Sequence, residues 1–89
     1  MSPDPIRIRR RLVRCFQQMF PDALPQDVPL ASMENVKGWD SMATWSLLML
    51  VEEQMSIRIG LDQIPKLTSF VAFETFVMRK LDAATSPGP

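Results

Sequence analysis

Four helix breakers stand close together early in the chain: Pro21, Pro25, Pro29 and Gly38. Proline lacks the amide hydrogen that a helix interior needs, and its ring clashes with the preceding turn. No helix of useful length survives that spacing, so residues 21–40 read as one long ordered loop. Its apolar anchors are Leu24, Val28, Leu30, Met33 and Val36. A loop of about 20 residues without secondary structure of its own is unusual in a compact domain and tends to carry function. The chain has 89 residues, which is one domain with a thin core and little room for a deep, water-excluding active site.

Helices are predicted on both sides of the loop. Asp4-Pro5 is a start signal, a capping acid followed by Pro at the first helical position. From Ile6 to Phe20, Ile8, Leu12, Cys15, Phe16 and Met19 recur at helical spacing, with Arg7, Arg10, Arg11 and Arg14 largely opposite. Pro21 ends the run. Asp40 is a candidate N-cap for a second helix over Met42 to Met55. Met42, Trp45, Leu47, Leu48, Met49, Leu50 and Val51 point in nearly every direction around it. A helix apolar all round wants burial all round, which a chain this short cannot supply. Some of this surface is therefore expected to stay exposed as a partner site. Ile57-Arg58-Ile59 is a short extended alternation, and Leu61 to Ile64 fits one helical turn before Pro65. Thr68 and Ser69 offer caps for a last helix with Phe70, Phe73, Phe76, Val77 and Leu81 on one face and Glu74, Thr75, Arg79 and Asp82 outside. The predicted fold class is all-α: a bundle of three main helices plus one short helix, with the long loop between helices one and two. Residues 1–5 are expected as an N-terminal tail, 6–82 as the domain and 83–89 as a disordered C-terminal tail.

The absences narrow the chemistry. There is no His and no Tyr, which removes His-based acid–base work and His metal sites. One cysteine, Cys15, allows no intramolecular disulfide and no Cys-cluster metal site, and it is expected in the core. No apolar run reaches the length of a membrane span, so a soluble, cytoplasmic monomer is the expectation. Net charge is zero but unevenly spread: +4 over residues 1–20 and −4 over residues 21–69. Either the two regions attract each other across the surface, or they form two different docking faces. A nucleic-acid-binding module would use Ile6-Arg7-Ile8-Arg9-Arg10-Arg11 against phosphates. The acidic remainder and the lack of a polar reading face on the second helix oppose that, and no nucleic-acid partner is expected.

The remaining signal is Gly38-Trp39-Asp40-Ser41-Met42, at the junction of the loop and the second helix. Ser41 there can simply help to cap the helix. It is also well placed for an anionic modification, because free N–H groups and the positive end of the helix dipole would face a phosphodiester. These residues resemble the Asp-Ser-Leu motif of acyl carrier proteins, with Met42 in place of Leu and Trp39-Asp40-Ser41 similar to the Trp-Asp-Ser form of stand-alone carriers. Leu50-Val51-Glu52-Glu53, Ile57-Arg58-Ile59 and Leu67-Thr68-Ser69-Phe70 are similar, in order, to the later segments of that family. The resemblance spans residues 6–82.

It implies a carrier that is not itself an enzyme. Ser41 would bear 4′-phosphopantetheine, transferred from coenzyme A by a phosphopantetheinyl transferase with magnesium ion, and Asp40 would help to position that transferase. An acyl ligase or acyltransferase would load the arm, in fatty-acid or other specialised lipid or secondary-metabolite biosynthesis. Met42, Trp45 and Leu47 would be candidates to line a shelter for the acyl chain. The second helix departs from the family pattern in having few carboxylates, only Glu52 and Glu53 at its far end. Docking is therefore expected through Trp39, Met42, Trp45 and Met49, with Glu52 and Glu53, and more through the apolar residues than through charge. Whether Trp45 is core or surface, and whether Trp39 packs inward, stay open. The alternative cargo is aminoacyl, as in D-alanyl or peptidyl carriers. The alternative of another class is a non-catalytic helical docking module.

Overall fold

Asp4 starts the first helix as the sequence predicts: its carboxylate accepts the Ile6 amide at 3.0 Å, and Pro5 occupies the first helical position. The computed structural model describes residues 4–85. Helix α1 spans Pro5–Met19 and buries Ile8, Leu12, Cys15 and Phe16. It closes at Phe20, whose amide reaches the Phe16 carbonyl at 2.8 Å, one residue ahead of Pro21. Helix α2 spans Ser41–Met55 and α3 spans Phe70–Thr85. A 3₁₀ turn over Val28–Leu30 lies in the long loop, and a six-residue 3₁₀ segment, Leu61–Lys66, precedes α3. The molecule is the expected all-α bundle.

Two boundaries shift. Pro5 is helical, so the first element begins inside the expected tail; residues 1–3 lie outside the described residues. Helix α3 continues to Thr85, past the expected domain end at residue 82, because Ala83, Ala84 and Thr85 offer nothing that breaks a helix. The rest of the expected C-terminal tail, 86–89, lies outside the described residues.

The loop has more local structure than the prolines suggest. Pro29 sits in the first turn of the 3₁₀ segment, where its missing amide costs no bond. Val28 is buried, whereas Leu24 and Leu30, expected as anchors, stand 53% and 74% exposed. Met33 and Val36 pack partly buried against the core as expected, and backbone bonds add to the anchoring. Met33 donates to the Thr68 carbonyl and Phe70 to the Ala31 carbonyl, both at 2.9 Å, which pins the loop to the start of α3. Asn35 braces the same stretch, accepting from the Ser32 amide and donating to the Leu30 carbonyl, both at 2.9 Å.

The core centres on Phe16. Its ring meets Trp39, Phe70 and Phe73 edge-on at 5.4, 5.1 and 5.4 Å, the geometry that aromatic quadrupoles favour. Leu12, Leu47, Leu48, Val51, Leu67 and Val77 fill the remaining volume. After α2 the chain turns through Ser56 in the left-handed region, φ 54°. Glu52 then reaches back: its Oε2 accepts the Ile59 and Gly60 amides at 2.7 and 3.0 Å. Gly60 has φ 101°, and a Cβ there would lie 2.6 Å from Asp62 Oδ1. The 3₁₀ segment runs through Pro65 rather than stopping before it. Pro65 forgoes one bond there, and Leu67 closes the segment onto the Ile64 carbonyl at 3.0 Å.

Candidate functional site

Helix α2 is apolar on every side by composition but sharply two-faced by burial. Ala43, Thr44, Leu47, Leu48, Val51 and Met55 are buried. Met42, Trp45 and Met49 stand 66%, 46% and 52% exposed. These three are spaced three and four residues apart, so they form one stripe along the outer face. Exposed Glu53 continues it toward the C-terminal end. Trp45 is therefore surface.

Ser41 heads this stripe. It is the first residue of α2 and is exposed. Its hydroxyl has no hydrogen-bond partner among the described residues. Asp40 caps the helix with Oδ1, which accepts the Ala43 amide at 2.9 Å. The Ser41 and Met42 amides precede the first intrahelical bond and find no acceptor among the described residues. A helix start leaves such donors pointing outward, where the dipole is positive.

The segment feeding Ser41 is held from below. Trp39 Nε1 donates to Thr44 Oγ1 at 2.8 Å, and that hydroxyl donates to the Asp40 carbonyl at 3.1 Å. The Trp39 ring lies against Phe16, Phe20 and Phe73, with centroids 5.4, 5.9 and 6.5 Å away. This indole anchors the loop end in the core, so the N-terminus of α2, and Ser41 with it, has a fixed position.

Three expectations are corrected by this geometry. Trp39 is buried, with only 4% of its surface exposed, and cannot dock a partner; the aromatic cluster and Thr44 hold it inside. Glu52 is only partly exposed, and one of its oxygens is committed to the Ile59 and Gly60 amides, so its role is to fold the turn after α2. Met42 and Trp45 face outward, so of the three residues expected to line an acyl shelter only Leu47 points into the core. The structure thus brings together Ser41, Asp40, Met42, Trp45, Met49 and Glu53 along one face and leaves out Trp39 and Glu52.

Thr44 was not singled out by the sequence, where it reads only as a weak helix former. Its role depends on an indole that the fold delivers to it. Cys15 is buried, and burial pushes its thiol up from the usual range, as befits a core residue rather than a nucleophile. Among the described residues no group of three or more His, Cys, Asp or Glu side chains could hold a metal ion. No described helix is long and apolar enough to cross a membrane. Compared with known protein families, curated proteins and solved structures, the chain matches none.

Proposed function

We propose that the protein is a non-catalytic acyl carrier whose Ser41 takes 4′-phosphopantetheine through a phosphodiester bond. One observation carries the reading: an exposed, unbonded serine hydroxyl opens α2, beside two free backbone N–H groups and at the head of an exposed apolar stripe. Exposure gives a transferase access to the hydroxyl. The free amides and the helix dipole suit the negative charge of the product. The stripe of Met42, Trp45 and Met49 offers apolar area to the enzymes that load and unload the cargo. The linkage suits the residues present, since a phosphodiester at Ser41 would have donors at hand and no described residue in its place.

The transfer balances on simple terms. The serine oxygen attacks the pyrophosphate of coenzyme A on the pantetheine side, a P–O bond to serine forms, and adenosine 3′,5′-bisphosphate leaves as the pyrophosphate bond breaks. The serine proton passes to a base on the transferase. When bound, the group supplies a flexible arm ending in a thiol that forms thioesters. What this chain contributes is position: Trp39 and Thr44 fix the start of α2, and Asp40 caps it with one carboxylate oxygen and leaves the other available to the transferase. A phosphopantetheinyl transferase and then an acyl ligase or acyltransferase are the successive partners. With so few carboxylates on α2, charge steering is weak, which fits dedicated partner enzymes.

The test is intact mass after incubation with coenzyme A, magnesium ion and a broad-specificity phosphopantetheinyl transferase, beside Ser41→Ala. A gain of one phosphopantetheine group in the parent and none in the variant is expected. No gain with either the broad-specificity or the native transferase would sink the carrier reading and leave a docking module.

A further inference from the structure

The five arginines of α1 divide into one that is committed and four that are not. Arg9 is tied to α3: its Nε and Nη2 donate to the two oxygens of Glu74 at 2.7 and 2.8 Å, and its guanidinium lies 5.8 Å from the Phe70 ring centroid. Arg7, Arg10, Arg11 and Arg14 are exposed, and none has a hydrogen bond or ion pair among the described residues. Their spacing of three, one and three residues places them on one face, a row about 10 Å long at 1.5 Å per residue. The acidic region at 21–69 therefore forms no direct ion pair with them among the described residues. Of the two readings of the charge asymmetry, these four arginines leave room for a docking face.

We infer that this row is a docking face for an acidic helix of a partner protein, with carboxylates spaced to meet Arg7, Arg10 or Arg11, and Arg14. Three features point to that occupant. First, guanidinium forks pair with carboxylates two bonds at a time, as Arg9 and Glu74 do in this molecule, and a helix with acids three and four residues apart repeats the spacing of the row. Second, the apolar face of α1, with Ile8, Leu12 and Phe16, is buried in the core, so only exposed Ile6 beside Arg10 is left at the edge of the row, short of the broad apolar face of a membrane-surface helix. Third, the row faces the end of α2. Arg11, Arg14 and Gln18 border Gln54 of α2 across a cleft of about 380 Å³. The inference needs no modification of Ser41.

The probe is a fluorescent helical peptide of roughly 18 residues, five turns, with glutamates three and four apart on one face. Its control is a scrambled peptide of the same composition. Anisotropy at low salt is expected to give binding roughly tenfold tighter for the periodic peptide, and Arg10→Glu with Arg14→Glu should remove that preference. Both arginines are exposed, so the double variant should keep the parent circular dichroism and melting curve, and that check accompanies the titration. Equal binding of the two peptides, or no effect of the double variant, overturns the proposal. So does tighter binding of duplex DNA or of phosphatidylglycerol vesicles than of the periodic peptide, which would make the row a polyanion site. The mass measurement on Ser41 is separate, so failure of one reading leaves the other standing.

Discussion

At the scale of single residues, the start of α2 rests on a polar bond inside an apolar core. Thr44 is the one buried polar residue among those described, and it serves Trp39 and Asp40 at once. Thr44→Val keeps the shape and removes the hydroxyl. The Trp39 N–H would then sit in the core without an acceptor, at a cost of about 1–3 kcal/mol. A melting curve should fall by roughly 5–15 °C for a domain of this size. An unchanged melting temperature would mean that water or another group takes the indole proton, and that Thr44 does not hold the site in place. This residue also marks a limit of the sequence. Asp40 and Ser41 were legible because capping chemistry is local, spanning three or four positions. Thr44 was not, because its partner Trp39 had first to be read as buried, and a Trp beside a candidate site reads equally well as surface.

At the scale of elements, α1 and α3 were legible and α2 was only half so. Ile8, Leu12, Cys15 and Phe16 on α1, and Phe70, Phe73 and Val77 on α3, recur at helical spacing, and all seven are buried. In α2 the apolar residues outnumber the buried positions, so hydropathy cannot say which face turns inward. Packing decides it: Leu47, Leu48 and Val51 enter the core, and Met42, Trp45 and Met49 are left outside. Substitution should separate the two faces. Leu48→Ala is expected to cost about 2–5 kcal/mol in denaturant unfolding, as deletions in close-packed cores do. Met49→Ala with Trp45→Ala should cost much less, about 1 kcal/mol or under, because both side chains keep much of their surface in water. If the stripe receives the loading enzyme, the same double variant should lower the rate of acyl loading while its unfolding curve barely moves. Unchanged loading would remove the stripe from the docking account. The turn after α2 was also beyond the sequence. Glu52 reads as a surface acid until residues seven and eight positions further on present their amides to it.

At the scale of the whole molecule, long-range ties close a bundle that local signals only outline. The loop is pinned to α3 through Ala31, Met33, Thr68 and Phe70, and α1 is clasped to α3 by Arg9 and Glu74, 65 residues apart. Neither tie has a local signature. The arginines of α1 look alike in sequence, and only the fold shows which one meets a carboxylate. The clasp is half in solvent, with side chains 50% and 19% exposed. Its worth is therefore modest, about 1 kcal/mol at low ionic strength even with bidentate geometry. Glu74→Gln should lower stability by about that amount in dilute buffer, and the difference should shrink as salt screens the pair. A difference that does not change with salt would show that Glu74 acts through packing. The fold class, the helix order and the place of Ser41 were thus readable from periodicity and punctuation. The choice of faces and clasps was not, because it depends on residues that only tertiary structure makes neighbours.

The chain's two tryptophans are six residues apart and lie in opposite surroundings, Trp39 sealed against Phe16 and Trp45 half in water. Indole emission moves to longer wavelength as its surroundings become polar, so the molecule has two optical channels at one end of one helix. The blue channel follows whatever disturbs the interior; the red one, open to a collisional quencher, follows whatever covers the outer face. A ligand that slips into the core and a protein that settles on the surface would therefore leave different colours of evidence in a single unlabelled cuvette.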